Sequence, residues 1–513
     1  MDKNVAAVSM RGVTKTFGGN VIANDNVSLD IYRGEIAALL GENGSGKTTL
    51  MNMLAGIYYP DSGKIFIDGR EVVIRSPKDA FALGIGMIHQ HFKLVDVLTA
   101  TENIVLGLKE EGRLDLKAAA QRIQDICEKY GFDLDPQQKV YDMSVSQKQT
   151  TEIIKVLYRN ADILILDEPT AVLTPQETDK LFDVLRNMKK DGKAIVIITH
   201  KLHEVKSLSD RVVILRGGKF IGDVPTAETT TQQMTDMMVG HSVALNIDRP
   251  EPVNPKARIL VKGLTVKSSD GILKLDDVSF TARSGEILGV AGISGSGQRE
   301  LLEAIAGLQK VKKGSIKYIA DDGKESELVG MSPLDITNLG VALSFVPEDR
   351  LGMGLVGNMN LTDNMMLRTF RRGKSLFTDR KVPRDIAQDV VEELEVNTPG
   401  LDTPVRRLSG GNVQKILVGR EIASAPTVLL TAYAVRGLDI NSSYTIYDLI
   451  NKQKEQGVAV VYVGEDLDVL LELSDRILVL CGGKVSAMLD ARKTTKNEVG
   501  LMMTSLGGRE TDE

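Results

Sequence analysis

The sequence predicts an α/β protein with mainly parallel sheets, in which one large domain occurs twice. Apolar runs of strand length, at residues 36–40, 163–166 and 194–198, end in polar residues and are separated by helical segments. That alternation is typical of a parallel sheet with helices on both sides. The first of these runs leads into a glycine-rich turn and then a helix, whose apolar residues Leu50, Met53 and Leu54 share one face.

The tandem repeat is visible as two pairs of matching segments. Residues 208–219 match residues 473–484 at an offset of 265, and residues 27–36 match residues 278–287 at an offset of 251. Because the offset grows, the second copy carries insertions, one of which we expect as a polar loop at residues 318–330. A repeat of this length exceeds the ~20–50 residues of solenoid repeats, so a whole domain has been duplicated.

The domain boundaries follow from the repeat and from a proline-rich segment between the copies. We predict a first domain at residues 1–245, a linker at 246–257, a second domain at 258–506 and a polar tail at 507–513. Three prolines exclude helix from the linker and favour an extended, fairly stiff connector: Pro250, Pro252 and Pro255.

The composition excludes several classes of protein. Of the 513 residues, 42% are hydrophobic and 26% charged, which is ordinary for a globular chain and not for a disordered one. No run approaches the ~18 apolar residues of a membrane-spanning helix, and we expect no secretory signal at the N-terminus. Cys127 and Cys481 are too few for a disulfide scaffold or a zinc cluster and fit a reducing compartment. A net charge of −6 and the lack of tryptophan argue against nucleic-acid binding.

A phosphate-binding loop follows the first predicted strand. Residues 41–48 fit the pattern G-x-x-x-x-G-K-[ST]. Glycines let the backbone N–H groups face a phosphate, and the N-terminal end of the next helix adds positive charge. In this pattern Lys47 reaches the β- and γ-phosphates of a nucleotide, and the Thr48 hydroxyl binds Mg²⁺. The alternative is an ordinary glycine-rich turn.

Further polar residues follow other predicted strands. Asp167 and Glu168 end the strand at 163–166, where the first carboxylate can hold Mg²⁺ and the second can orient the attacking water. His200 ends the strand at 194–198, and we expect it to contact the γ-phosphate, although a lone histidine is often structural. The alternative for the carboxylates is a solvated turn.

Two more candidates lie earlier in the chain. The amide of Gln90 can touch Mg²⁺ or the attacking water, and its neighbours His89 and His91 form a weaker candidate for a metal site because no third ligand is close in sequence. Phe17 precedes the first repeated segment. We expect it to stack on adenine, and the alternative is a core phenylalanine.

The second copy has lost this chemistry. Its loop, residues 292–299, keeps the glycines but has Gln298 in place of Lys47 and Arg299 in place of Thr48. At the positions that correspond to the carboxylate pair stand Ala432 and Tyr433. Glu465 replaces the histidine, and Glu348 falls near the position of the glutamine.

A short peptide before a helix shows the opposite distribution: it is intact in the second copy and altered in the first. In the second copy it reads LSGGNVQ, residues 408–414, in which Gly410 and Gly411 allow a phosphate to approach and Ser409 can donate to it. The first copy reads MSVSQKQ, residues 143–149, with side chains where the glycines stand. Alone, the serine and glycines also fit an ordinary helix cap.

Together, these motifs resemble the ATP-binding subunits of ABC transporters. A tandem chain with an altered second phosphate loop is similar to the importer ATPases for simple sugars and nucleosides. The resemblance implies that each domain has a mainly parallel core, an antiparallel β part and a helical subdomain. It also implies that ATP lies between one domain's loop and the other's LSGGNVQ-type peptide, called the signature peptide below. One competent site would then use the first loop and the second signature, and the other site would be degenerate.

The resemblance assigns roles to residues by number. The residues expected to bind nucleotide are Phe17, Gly41, Asn43, Gly44, Ser45, Gly46, Lys47, Thr48, Thr49, Ser409, Gly410, Gly411 and Gln414. The residues expected to bind Mg²⁺ are Thr48, Gln90 and Asp167, and those expected to act in catalysis are Glu168, His200 and Gln90.

The resemblance also implies partners: two membrane-spanning permease subunits, an extracytoplasmic substrate-binding protein, no nucleic acid, and a place on the cytoplasmic face of the membrane. Residues 84–107 and 347–356 look closest to the nucleoside branch, with ribose or galactose import as the alternative. Three other functions are less compatible with the sequence. Ribosome-acting tandem ATPases carry long basic linkers, DNA-repair ATPases carry zinc modules, and a phosphotransferase has no use for the divided signature peptides.

Overall fold

The chain folds into two compact units, Met1–Ala244 and Leu245–Glu513. A computed structural model describes residues 5–18, 21–90, 92–108, 115–171, 173–199, 201–240, 247–268, 271–293, 295–345, 354–369, 379–436, 438, 440–464 and 466–504. Within these residues, no helix combines the length and the apolar character that crossing a bilayer requires.

The strands of the first unit form two sheets. They are β1 (Val8–Phe17), β2 (Val21–Ile31), β3 (Ile36–Leu40), β4 (Ser62–Ile67), β5 (Arg70–Val72), β6 (Ile85–Ile88), β7 (Ile163–Asp167), β8 (Ala194–Ile198), β9 (Arg211–Arg216) and β10 (Lys219–Pro225). One sheet has the order β10-β9-β3-β8-β7-β6 and is parallel except for β10. The other has the order β2-β1-β4-β5 and is antiparallel. The predicted mainly parallel sheet is therefore confirmed.

The helices of the first unit cover the parallel sheet and form a separate group. They are α1 (Lys47–Leu54), α2 (Pro77–Ala82), α3 (Ala100–Val105), α4 (Leu116–Tyr130), α5 (Val145–Tyr158), α6 (Pro175–Lys190), α7 (Leu202–Leu208) and α8 (Thr231–Val239). Residues alternate along β7: Ile163 packs in the cluster that contains α1, and Leu164 in the one that contains α6. Both faces of this strand are thus covered, which explains its continuous apolar run. Helices α3 and α4 and the C-terminal half of α5 share a third cluster, in keeping with the expected helical subdomain.

The second unit repeats this design. Its strands are β11 (Ala257–Lys267), β12 (Leu273–Arg283), β13 (Ile287–Gly292), β14 (Val311–Ile319), β15 (Glu325–Glu327), β16 (Val341–Phe345), β17 (Val428–Ala432), β18 (Ala459–Val463), β19 (Arg476–Cys481) and β20 (Lys484–Asp490). Its helices are α9 (Gln298–Ile305), α10 (Pro333–Asn338), α11 (Leu361–Thr369), α12 (Lys381–Glu393), α13 (Gly410–Ile422), α14 (Ile440–Glu455), α15 (Leu467–Leu473) and α16 (Lys496–Thr504). The sheet orders, β16-β17-β18-β13-β19-β20 and β12-β11-β14-β15, match those of the first unit.

The structure corrects one detail of the expected insertion. The segment at residues 318–330, predicted as a loop, contains the end of β14 and the whole of β15, which pair as an antiparallel hairpin. Charged side chains on these strands, among them Lys317 and Glu325 at 2.7 Å, give the segment its polar composition. The prediction of a loop was wrong because both strands carry exposed charges, which make the segment polar without making its backbone irregular.

The segment predicted as a linker packs onto the second unit. Residues 247–256 form neither helix nor strand, but Ile247 is buried in the cluster that contains α13 and α14. Arg249 donates to the carbonyl of Leu471 at 2.8 Å, and the buried ammonium of Lys454 donates to the carbonyl of Pro250. These contacts explain why the division between the units falls at residues 244 and 245.

Candidate functional site

The phosphate loop of the first unit connects β3 to α1 and closes around its own lysine. The Lys47 ammonium donates to the carbonyls of Gly41, at 2.7 Å, and Glu42, at 2.9 Å. Burial lowers the pKa of this ammonium, although the nearby carboxylates of Glu168 and Asp167 oppose that shift. The lysine is therefore held inside the loop by carbonyls that a phosphate group can replace as its partner.

The backbone of the loop requires glycine next to the lysine. Gly46 caps α1 with a φ of 93°, in the left-handed region. A Cβ atom at this position would lie 2.2 Å from the carbonyl oxygen of Ala23. Only glycine fits this position without displacing the neighbouring strand β2.

The loop has the unfilled hydrogen-bonding capacity that a phosphate would need. The Ser45 hydroxyl is buried, and within the described residues it has no hydrogen-bond partner. Buried hydroxyl groups normally have partners, so an acceptor such as a phosphate oxygen suits this place. Asn43, Gly44 and Thr48 are exposed and Thr49 is half-buried, so the outer side of the loop is open to a ligand.

The predicted carboxylate pair lies at the end of β7, beside the phosphate loop. Asp167 is the last residue of this strand, and its carboxylate is hydrogen-bonded by the side chain of Thr48. Burial, together with the charge of Glu168, raises the pKa of Asp167 to about 6. The structure therefore brings together the threonine and the aspartate that the sequence analysis expects to hold Mg²⁺, and hydroxyl and carboxylate oxygens are suitable ligands for it.

Glu168 and Gln90 also meet at this edge. The Gln90 amide donates to a carboxylate oxygen of Glu168 at 2.8 Å, although 78 positions separate the two residues. The backbone of Glu168 is left-handed, with φ 47°, and its N–H donates to the carbonyl of Ile198 at 2.9 Å. This unusual conformation turns the chain sharply after β7 and fixes the position from which the Glu168 side chain extends.

The histidines give a mixed result. His200 and His91 lie outside the described residues, so the expected contact of His200 with the γ-phosphate stays a prediction. Burial lowers the pKa of His89, which is half-buried. Among the described residues, no three histidine, cysteine, aspartate or glutamate side chains gather as a metal site would require.

Phe17 lies at the end of β1 and is half-buried, so it is not a core phenylalanine. Its ring packs edge-to-face against Tyr58, with 5.1 Å between the ring centres, and the Lys15 ammonium is 5.6 Å from the ring centre. Nothing in the sequence singles out Tyr58, because only the fold brings the loop after α1 to the end of β1.

The altered loop of the second unit keeps the backbone of the first. Gly297 caps α9 with a φ of 99°, and the buried Gln298 amide donates to the carbonyl of Ile293 at 3.1 Å, much as Lys47 bonds to its own loop. Tyr433 has a φ of 57°, and its N–H donates to the carbonyl of Val463 at 2.9 Å, as Glu168 does to Ile198. The second copy has thus lost the charged groups but not the geometry that held them.

The two signature peptides differ in what their serines bond. Ser409 caps α13, is exposed and accepts a hydrogen bond from the side chain of Asn412 at 2.9 Å. Ser144 caps α5 in a reciprocal arrangement, in which the Gln147 side chain also accepts from the N–H of Ser144. After the capping serine, the second peptide presents two glycines where the first presents Val145 and Ser146.

Gln414 lies in the interior of the second unit. It is fully buried, and its amide donates to the carbonyl of Ala434 within the second unit. Its hydrogen bond ties α13 to the segment after β17, and nucleotide contact by Gln414 stays a prediction. Gly410 is exposed and Gly411 half-buried, so both remain accessible at the front of the peptide.

One buried residue near the site was missed. Glu204 on α7 accepts a hydrogen bond from Thr170, which follows the carboxylate pair by two positions. A single glutamate in a helix carries no motif, so the sequence alone gave no reason to select it.

Comparison with known proteins identifies the family. Residues 24–171 and 275–431 match the ABC transporter family model, one segment in each unit and together more than half of the chain. The chain belongs to the ABC transporter family. This confirms the resemblance and the fold class, and it identifies the chain as an ATP-hydrolysing subunit of such a transporter.

Three relatives show which members of the family are similar. Nucleoside import ATP-binding protein NupA of Lactococcus lactis is 42% identical, and the match covers 98% of each chain. Guanosine import ATP-binding protein NupO of Bacillus subtilis is 40% identical, with 97% of each chain covered. Ribose import ATP-binding protein RbsA 1 of Streptomyces avermitilis is 38% identical over 98% of this chain and 94% of its own. These relatives do not favour the ribosomal alternative.

Proposed function

We propose that this chain hydrolyses ATP to drive the import of nucleosides. The observation that carries the ATPase part is the meeting of Lys47, Thr48, Asp167, Glu168 and Gln90 at one edge of the parallel sheet. The substrate part is supported by the relatives, of which the nucleoside and guanosine importers are more similar to this chain than the ribose importer.

Each residue at this edge has a distinct task. With nucleotide bound, Lys47 would exchange its carbonyl partners for the β- and γ-phosphates, and Thr48 and Asp167 would hold Mg²⁺, which would supply positive charge to the phosphate oxygens. Glu168 accepts a hydrogen bond from the attacking water and orients it. Gln90 donates a hydrogen bond to Glu168, and we expect its amide to contact the metal or the attacking water when nucleotide is bound.

Residues further from the carboxylates complete the proposed site. His200 contacts the γ-phosphate, and the half-buried ring of Phe17 stacks on adenine. Phe17 is a suitable stacking partner because its ring is only half-buried at the end of β1.

Hydrolysis depends on the signature peptide of the second unit and not on that of the first. Support comes from the distribution of losses: the unit with the intact phosphate loop has the altered signature, and the reverse holds for the other unit. We expect Ser409→Arg to abolish ATP hydrolysis and Ser144→Arg to leave it nearly intact, because an arginine side chain would fill the place of the phosphate in the first case only. Equal loss of steady-state hydrolysis in the two variants contradicts this dependence.

The transport role requires partners. A pair of membrane-spanning permease subunits and an extracytoplasmic substrate-binding protein provide the pathway and the substrate selectivity, and this chain acts on the cytoplasmic face of the membrane. Support comes from the family and from the import names of the relatives.

Uptake measurements on a strain that lacks the gene test the substrate. We expect loss of labelled uridine and adenosine uptake, retained ribose and galactose uptake, and recovery when the wild-type gene, but not a Glu168→Gln variant, is returned. Unlabelled nucleosides should compete with the labelled substrate, and free ribose should not. Loss of ribose or galactose uptake with intact nucleoside uptake assigns the chain to sugar import, the second candidate, which the 38% identity to the ribose importer supports.

A further inference from the structure

A buried polar cluster ties together the two loops that follow β7 and β8. The hydroxyl of Thr170 donates to the Glu204 carboxylate, with both oxygens at 2.7 Å, and the hydroxyl of Thr199 donates to it at 3.4 Å. The Lys201 ammonium lies 3.2 Å from this carboxylate and also donates to the carbonyl of Thr170 at 3.2 Å. Glu204 is 5% exposed, so these contacts are shielded from water.

This cluster lies directly beyond the last paired residues of the two strands. Asp167 is paired with Ile198 at the ends of β7 and β8. After that point the sheet no longer holds the chains together, and Thr170 and Thr199 are joined instead through Glu204. Pro169, whose backbone is stiff, links Thr170 to Glu168, so a shift at the threonine is passed on to the carboxylate.

The second unit shows what happens at these positions when the chemistry is lost. The strand that corresponds to β7 is β17, and the helix that corresponds to α7 is α15, both at an offset of 265. At that offset Thr170 corresponds to Val435 and Glu204 to Val469, and both valines pack against one hydrophobic cluster. The polar cluster is therefore replaced by an apolar one in the copy that lacks the carboxylate pair.

This replacement argues against a role in stability alone. Burying a carboxylate has a large desolvation cost, and exchanging a buried polar cluster for packed apolar side chains is often neutral or stabilising. The second unit keeps the same strands and helix with valines at these places, so the fold does not require the cluster. The units differ instead at the end of the strand before this cluster, where the first has Asp167 and Glu168 and the second has Ala432 and Tyr433.

We propose that Glu204 is a positioning residue for ATP hydrolysis. By accepting hydrogen bonds from Thr170 and Thr199, it fixes the loop after Glu168 against the loop after β8, and so fixes the distance from the Glu168 carboxylate to the water it orients. This inference rests on the proposed role of Glu168.

Kinetic variants of the purified full-length chain test this role. Thr170→Val removes the hydroxyl with almost no change in volume, and Thr170→Ser keeps it. Combining Thr170→Val with Glu204→Val reproduces the pair found in the second unit and leaves no buried carboxylate without partners. Because misplacement of about 1 Å can reduce a rate about 10²-fold, we expect Thr170→Val and the double variant to lower kcat by about 10- to 100-fold. We expect an unchanged KM for ATP, since the phosphate loop is untouched, and near wild-type kcat for Thr170→Ser.

A control variant separates positioning from the general loss of an ion-paired, half-buried carboxylate. Glu35 is ion-paired with Arg211 at 2.7 Å, but it precedes β3, at the strand end away from the phosphate loop. Glu35→Gln should lower the thermal midpoint without lowering kcat.

The outcomes distinguish this inference from the proposed function. A wild-type kcat in Thr170→Val, an equal loss in Thr170→Ser, or a raised KM with unchanged kcat overturns the positioning role. If Glu168→Gln hydrolyses ATP normally in the same assay, the proposed site itself fails. If Glu168→Gln is inactive while Thr170→Val is fully active, only the role of Glu204 is refuted.

Discussion

Alanine at the glycine that caps each phosphate-loop helix should have the same structural effect in both units but a functional effect in only one. Gly46 and Gly297 both have left-handed backbones, with φ of 93° and 99°. A Cβ atom at Gly46 would lie 2.2 Å from the carbonyl oxygen of Ala23, and one at Gly297 would lie 2.7 Å from that of Lys274. In each case the loop must move away from the neighbouring strand.

The expected loss of folding free energy in these alanine variants has two contributions. Placing alanine in the left-handed region costs about 1–2 kcal/mol. Overpacking against a neighbour adds about 1–3 kcal/mol, with the larger share at Gly46, where the contact with a backbone oxygen is shorter. The sum, about 2–5 kcal/mol, corresponds to a fall of roughly 4–20 °C in the midpoint of the affected unit.

Thermal unfolding with and without MgATP measures both effects. Without nucleotide, we expect both variants to have lower midpoints than wild type. A ligand at 100 times its Kd stabilises the folded state by about 2.7 kcal/mol. That gain should appear in wild type and in Gly297→Ala, and it should be lost in Gly46→Ala together with hydrolysis. The reasoning is refuted if Gly46→Ala keeps its response to ATP, or if Gly297→Ala loses ATP hydrolysis while remaining folded.

Three further predictions concern single side chains. Glu168→Gln should reduce ATP turnover by about 10²–10⁴-fold and leave ATP binding intact, because the water loses its acceptor; near-normal turnover with the membrane partners present contradicts this. Lys47→Ala should abolish substrate uptake in cells, whereas Gln298→Ala should have a mild effect, and equal sensitivity would refute the idea of one competent site. Burial raises the pKa of the Cys127 thiol to about 11, so at neutral pH iodoacetamide should label Cys481 first, as peptide mass mapping can show.

Much of the fold could be predicted because its signals are local. The phosphate loop is one continuous segment, and the buried strands around it are unbroken apolar runs, so β3 and β7 were found nearly to the residue. Because the domain occurs twice, two segments of the sequence indicate each of the repeated elements. The polar hairpin of β14 and β15 was missed because its stability comes from pairing between strands, which a one-dimensional pattern does not display.

The candidate site was only partly predictable for the same reason. The approach of Gln90 to Glu168 could be expected from the family resemblance, but the hydrogen bond itself joins residues 78 positions apart. The link from Thr170 to Glu204 spans 34 positions and involves no motif. Gln414 was assigned to the nucleotide from the signature pattern, whereas the tertiary packing places it in the interior.

The backbone turn at Tyr433, which matches the turn at Glu168, has a genetic consequence. The second unit folds with a tyrosine in the left-handed turn and a glutamine inside its loop, so this architecture tolerates the loss of its charged side chains. Substitutions of Lys47 or Glu168 in the first unit should therefore yield a folded subunit at normal cellular abundance. Under the proposed function, such a subunit would still bind the permease without driving transport. These alleles would then be dominant over a wild-type copy, whereas alleles that unfold the chain would be recessive.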